Sequence, residues 1–272
     1  MFSYLFYNDW KINCLHIKKY REVSLSDYTF ITMPIVAFLA YVVKSTTGFG
    51  GAIMIVSLGS LFIGTHEAII LSAVLETVGG GILWLQDPVA ERRAFWIPLS
   101  IVMIVGTIAG GLLLSVFPTY SFDLLLAAII FVLGVWFITS RDGKNGCSLR
   151  TDLPERSSVA DLSVSTFSGF CGGLFGVGGP PIVYWLGRHF AKHAFRRTLI
   201  PVFFLATVAR LITYETVGLI HERILIISLF SFPGIVLGIV FGNRIFHALS
   251  ERSFSRVVGG VLIFVALWLI LK

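Results

Sequence analysis

Beyond residue 27 the chain alternates long apolar runs with short polar breaks, the runs falling at 28–43, 52–63, 68–85, 95–117, 122–138, 159–175, 180–186, 199–220, 224–241 and 257–271. A helix rises about 1.5 Å per residue, so about 20 apolar residues carry it through a bilayer core. Two runs, 52–63 and 180–186, are too short to cross, and each directly follows a glycine-rich break. Each short run therefore pairs with its predecessor as a broken or re-entrant hairpin. Backbone opened at membrane depth is tolerated only where protein or a polar cavity satisfies it, so both breaks predict buried polar sites.

The two breaks are copies of each other. Gly48-Phe49-Gly50-Gly51-Ala52-Ile53 matches Gly176-Val177-Gly178-Gly179-Pro180-Pro181 at an offset of 128, and Leu58-Gly59 falls on Leu186-Gly187. Each half then reads as one glycine-broken hairpin followed by three full crossings. An odd number of crossings turns the second half over relative to the first, the inverted-repeat plan of many transporters. The predicted fold is an all-α, polytopic transmembrane helical bundle of two homologous halves arranged as inverted repeats. Its parts are an N-terminal extension (1–27), a first transmembrane repeat (28–139), a polar linker (140–158) and a second repeat (159–272).

Composition agrees: 56% of residues are hydrophobic and 13% charged, against roughly 45–50% and ~25% in a soluble domain. The net charge of +6 does not gather into a nucleic-acid-binding patch. Instead the loops at 86–94, 140–158, 187–197 and 242–256 hold 13 of the 21 Lys and Arg residues, which places these loops in the cytoplasm. Lys11, Lys18, Lys19 and Arg21 of the extension favour the same side and conflict with that assignment for the first helix. Cys14, Cys147 and Cys171 are too scattered for a disulfide framework or a metal cluster, and no cofactor is expected. His66-Glu67 and His221-Glu222 begin like a zinc-protease motif but lack its second histidine, and neither Gly-x-Ser-x-Gly nor a Walker A pattern occurs. The residues call for no enzyme.

Candidate chemistry lies at the breaks. Glycine lets backbone approach a ligand closely, and the half-helix after each break presents free N–H groups and a positive dipole end. Gly48, Gly50, Gly51, Gly176, Gly178 and Gly179 thus form a candidate cradle for a small anion, with Ser45, Thr46 and Thr47 as hydroxyl donors. Close helix packing through small residues is the competing reading. Lys44 and Arg210 are charged within apolar runs and are candidate anion partners. Lys44 alternatively snorkels to an interface, and Arg210 alternatively pairs with Glu76 or Glu215. Glu76, in Leu75-Glu76-Thr77, is a candidate proton carrier or a hydrogen-bonded structural carboxylate.

Gly48–Gly51, Gly173-Leu-Phe-Gly-Val-Gly-Gly-Pro-Pro181, Ala194-Phe-Arg-Arg-Thr198, Ala209-Arg-Leu-Ile-Thr-Tyr214 and Thr216-Val-Gly-Leu219 together resemble the TauE/SafE sulfite exporter family over roughly residues 28–272. The resemblance implies a multi-pass permease of the plasma membrane that moves sulfite, thiosulfate or organosulfonates without a nucleotide cofactor. It also implies that the glycine hairpins cradle the substrate. The expected partners are the bilayer, a small anion and a coupling proton, with transport by rocking of one half against the other. Pairing of two copies as a homodimer is left open. A passive anion channel, and a membrane-embedded enzyme or anchoring subunit, are the alternatives.

Overall fold

The computed structural model describes residues 28–86, 93–115, 156–187 and 192–245, with isolated positions at 128, 131, 132, 135 and 267. The extension, most of the linker and the runs expected at 122–138 and 257–271 lie outside the described residues or almost wholly so. Among the described residues there are eight helices and no strand: α1 (Tyr28–Thr47), α2 (Gly51–Ile63), α3 (Thr65–Gln86), α4 (Arg93–Leu114), α5 (Val159–Phe175), α6 (Gly179–Gly187), α7 (Lys192–Thr216) and α8 (Glu222–Ile245). Five of them, α1, α3, α4, α7 and α8, are long and apolar enough to cross a membrane. The remaining three are the short helix after each break and the helix before the second one.

Local sequence explains where the broken helices begin and end. Ser158 and Asp161 form a reciprocal capping box at the start of α5. The second oxygen of Asp161 accepts from Trp185 Nε1 at 2.7 Å, which ties the mouth of α5 to the far end of α6 and closes the hairpin. At the breaks, Gly48 (φ 83°) donates its N–H to Lys44 O at 2.7 Å, and Gly176 (φ 72°) donates to Gly172 O at 3.0 Å. Both are left-handed caps, a conformation that costs glycine nothing and other residues about 1–2 kcal/mol. The two helix ends are therefore the same construction, displaced by the repeat offset.

Packing divides the helices into two bodies. In the first, α1 packs along α8 and against α2, while α3 packs on α2 and α8; in the second, α5 packs along α4 and against α6, while α7 packs on α4 and touches α6. Lipid tails are as apolar as leucine, so close backbone approach through small residues drives such contacts. Gly234 and Gly238 of α8 lie against the carbonyls of Pro34 and Phe38, and Gly242 against Val42. Gly106 and Gly110 of α4 face the carbonyls of Thr166 and Phe170, and Gly169 and Gly173 of α5 answer with those of Met103 and Thr107. In both interfaces the contacting residues ascend together, so the paired helices run parallel.

One core cluster is confined to α4, α6 and α7 of the second body, including Phe95, Leu99, Ile182 and Val202. The other fills the first body and continues onto Leu174, Phe175 and Tyr214, where the bodies meet. Between the bodies the main packing is α3 on α7. Arg210 reaches Ser72 while Phe204 packs against Trp84, so these two helices run in opposite directions. Exchanging α5 for α1, α6 for α2, α7 for α3 and α8 for α4 turns the main helix contacts of one body into those of the other. The bodies are thus not the sequence halves: α4 joins the second and α8 the first, because the glycine stripes hold them there.

The ends of the bundle carry polar ties. Asn243 of α8 donates to Gln86 of α3 and accepts from Arg196 of α7, both at 3.3 Å. These residues bring the end of α3, the first turns of α7 and the end of α8 to one face of the bundle. At the opposite end Arg223 of α8 pairs with Glu67 of α3 at 3.2 Å.

Candidate functional site

A small cavity, partly open to its surroundings, lies between the two bodies where the glycine breaks meet. The first body lines it with Lys44, Phe49, Gly50, Ala52, Ile53 and Glu76, and the second with Gly172, Gly176, Gly178, Gly179, Thr107 and Arg210, beside Phe203, Ala206 and Thr207. The N-terminal turns of α2 and α6 open onto it. First-turn N–H groups have no intrahelical partner and carry the positive end of the helix dipole. Gly50 (φ 88°) turns the chain into α2 in the left-handed region, and a Cβ there would press on Val43 Cγ1 at 3.1 Å.

Arg210 is 2% exposed. Its Nη1 donates to Gly172 O at 3.1 Å and its Nη2 to Ser72 Oγ at 3.2 Å, while the buried Nε has no partner. Gly172 O lies in the last turn of α5, so the guanidinium also meets the negative dipole end of that helix. The Tyr214 ring centroid is 6.0 Å from the guanidinium carbon, and Tyr214 is itself pinned by donating to Gly173 O at 2.6 Å. Among the described residues Arg210 forms no ion pair. A buried cation without a counter-ion is costly, and an anion in the cavity would supply one.

Lys44 and Glu76, each 4% exposed, form a buried ion pair through Glu76 Oε2, whereas Glu76 Oε1 is buried without a partner. Lys44 therefore does not snorkel to an interface, and the carboxylate that might have neutralised Arg210 is held by Lys44 instead. Gly51 is what makes room for the pair: a Cβ on it would fall on Glu76 Oε1 and within 3.0 Å of Lys44 Cδ.

Of the residues singled out from sequence, Lys44, Gly50, Glu76, Gly176, Gly178, Gly179 and Arg210 come together at the cavity. Gly48 instead lies against Arg196, whose Cγ a Cβ would meet at 3.2 Å, and Gly51 backs the ion pair. The expected hydroxyl donors are placed differently. Ser45 Oγ donates to Tyr41 O at 2.6 Å and sits on the α8 side near Gly238 O, and Thr46 Oγ1 bonds to Val43 O at 2.7 Å. Small hydroxyls in helices readily bond back to the preceding turn, which removes both from the cavity. The Thr47 side chain lies outside the described residues. Sequence reading missed Ser72 and Thr107. Ser72 was findable, since it precedes Glu76 by one helical turn and so shares its face.

The model of the family described as Sulfite exporter TauE/SafE matches residues 33–269 of the chain. The chain belongs to the TauE/SafE family. No curated protein and no solved structure matches it. The TauE/SafE match begins inside α1 and runs beyond α8, so both breaks, the ion pair and Arg210 all fall within it. Family and apolar helices together make the protein a membrane transporter, and the cavity between the bodies is the natural place to look for its cargo.

Proposed function

We propose that this protein is a secondary transporter of small sulfur-containing anions, such as sulfite, thiosulfate or organosulfonates, across the plasma membrane, and that the anion is held in the cavity between the two bodies. One observation carries the site: Arg210 is buried at the cavity with an unpartnered Nε and, among the described residues, forms no ion pair, the Glu76 carboxylate in the same cavity being held by Lys44. The N-terminal turns of α2 and α6 add backbone donors from opposite sides. An oxyanion presents three or more acceptor oxygens and suits such a convergent set of donors. Its sulfur chemistry rests on the family and on no contact seen in the cavity.

Alternating access follows from the inverted plan, which the antiparallel course of α3 and α7 and the exchange relation between the bodies support. The units that rock are then the two four-helix bodies, with the cavity exposed first on one side and then on the other.

Uptake of radiolabelled sulfite, thiosulfate and methanesulfonate into proteoliposomes tests this reading, with Arg210→Gln as the comparison. A charged hydrogen bond contributes about 1.5–3 kcal/mol, so the variant should bind its anion about 10- to 150-fold more weakly. Saturable uptake that survives unchanged in the variant would remove the site assignment. Absence of uptake for all three anions in the wild type would remove the substrate class.

A further inference from the structure

The cavity contains two cations and one anion: Lys44 and Arg210 against Glu76. Among the described residues no other Asp, Glu, Lys, Arg or His lines it. Facing the ion pair is Tyr41 of α1, whose ring centroid is 5.5 Å from Lys44 Nζ and whose hydroxyl donates to Leu75 O at 2.6 Å, and Arg210 of α7 lines the same cavity. The neighbouring helix α2 carries no ionisable side chain, and the charged residues of α8 (Glu222, Arg223, Arg244) lie at its two ends.

With Glu76 ionised the site has one net positive charge and matches a monoanion. With Glu76 protonated it has two and matches a dianion. We propose that Glu76 is a charge-matching switch, so that the transporter carries a dianion together with a proton on Glu76 and a monoanion with Glu76 ionised and paired to Lys44. The proposal rests on the reading of the cavity as the anion site.

The physical reason is the cost of uncompensated charge in a buried site. A dianion entering beside ionised Glu76 leaves one excess negative charge buried. Protonation cancels that excess and frees the Lys44 ammonium for the anion. The unpartnered Oε1 of Glu76 gives the proton an open lone pair, so the carboxyl need not first leave Lys44. The proton comes from water on the loading side and returns to water on the release side, where Lys44 and Glu76 pair again. Each cycle then moves one net negative charge, whichever kind of anion is carried.

Thiosulfate and methanesulfonate separate the two cases, since near neutral pH the first is a dianion and the second a monoanion. Proteoliposomes loaded with a pH indicator should show a proton entering with each thiosulfate and none with methanesulfonate, and an inward acid gradient should accelerate thiosulfate uptake alone. In Glu76→Gln, which mimics the protonated carboxyl, thiosulfate uptake should lose its accompanying proton and its response to the gradient, whatever its absolute rate. The purified wild type in detergent supplies a second test that needs no variant: thiosulfate binding should take protons from a weakly buffered solution, and methanesulfonate binding should not.

Equal proton uptake with both anions, or proton uptake retained in Glu76→Gln, overturns the switch and leaves the transporter reading standing. If thiosulfate alone is carried, its proton count decides in the same way, and if methanesulfonate alone is carried and bound, the switch is overturned because no dianion is accepted. Absence of flux and of binding for both anions overturns the switch together with the site on which it rests.

Discussion

Lys44 and Glu76 neutralise each other next to the first glycine break, and each without the other would be a buried, uncompensated charge. Removing one partner of such a pair costs about 3–5 kcal/mol, whereas replacing both by apolar groups is often neutral or stabilising. Lys44→Met should therefore lower the unfolding temperature in detergent markedly, and Lys44→Met combined with Glu76→Leu should recover most of the loss. A single variant as stable as wild type would show that the pair is not closed in the protein. The double variant keeps only Arg210 as a charge at the cavity, so under the proposed charge matching it should favour methanesulfonate over thiosulfate, a readout separate from stability. Arg210 differs from this pair, because its two Nη groups end on a carbonyl and a hydroxyl, neither of which cancels charge.

Helix ends show how the same backbone conformation can have different consequences. Gly218 closes α7 in a Schellman motif, donating to Glu215 O at 3.0 Å while Leu219 N donates to Tyr214 O at 2.9 Å. Both Gly218 (φ 71°) and Gly176 (φ 72°) are left-handed, but a Cβ meets nothing within 4 Å at Gly218 and lies 2.9 Å from Val56 Cγ2 at Gly176. Asparagine accepts left-handed backbone better than most residues. Gly218→Asn should change stability by about 0.5 kcal/mol or less, and Gly176→Asn should cost about 1–3 kcal/mol by overpacking the site where the bodies meet; thermal unfolding of the two variants measures the contrast. Equal losses would mean that backbone conformation alone dictates glycine at the break.

These ends were legible in the sequence because glycine clusters and chain length speak directly about backbone: the run at 159–175 coincides with α5, and both breaks fall where the repeat placed them. Which side chains face the cavity was far less legible. In water an apolar face marks the core, but in lipid both faces of a helix are apolar, so Ser45 and Thr46 looked as well placed beside the break as Lys44. The Gly234, Gly238 and Gly242 stripe, with one glycine per turn, was the available sign that α8 packs closely on another helix. It could not say that this helix would be α1 of the opposite half.

Under the proposed rocking cycle, that exchange of helices decides which units move. If the sequence halves were the moving units, α3 and α8 would belong to different units and slide past each other during transport. In the structure they belong to one body and are tied at both ends, by Glu67 with Arg223 and by Gln86 with Asn243. The tie between Arg196 and Asn243, by contrast, joins α7 of one body to α8 of the other. Two cross-links in a background lacking the native cysteines distinguish the alternatives. Joining Glu67→Cys to Arg223→Cys with a short thiol-reactive linker should leave anion uptake close to that of the unlinked protein, because it fastens helices that already move together. Joining Arg196→Cys to Asn243→Cys should arrest uptake while anion binding persists, because it fixes one body against the other. Arrest by the first link would assign the motion to the sequence halves. Uptake unimpaired by the second would place it elsewhere, since a rocking cycle must open the two faces of the cavity in turn and cannot do so with one face held closed.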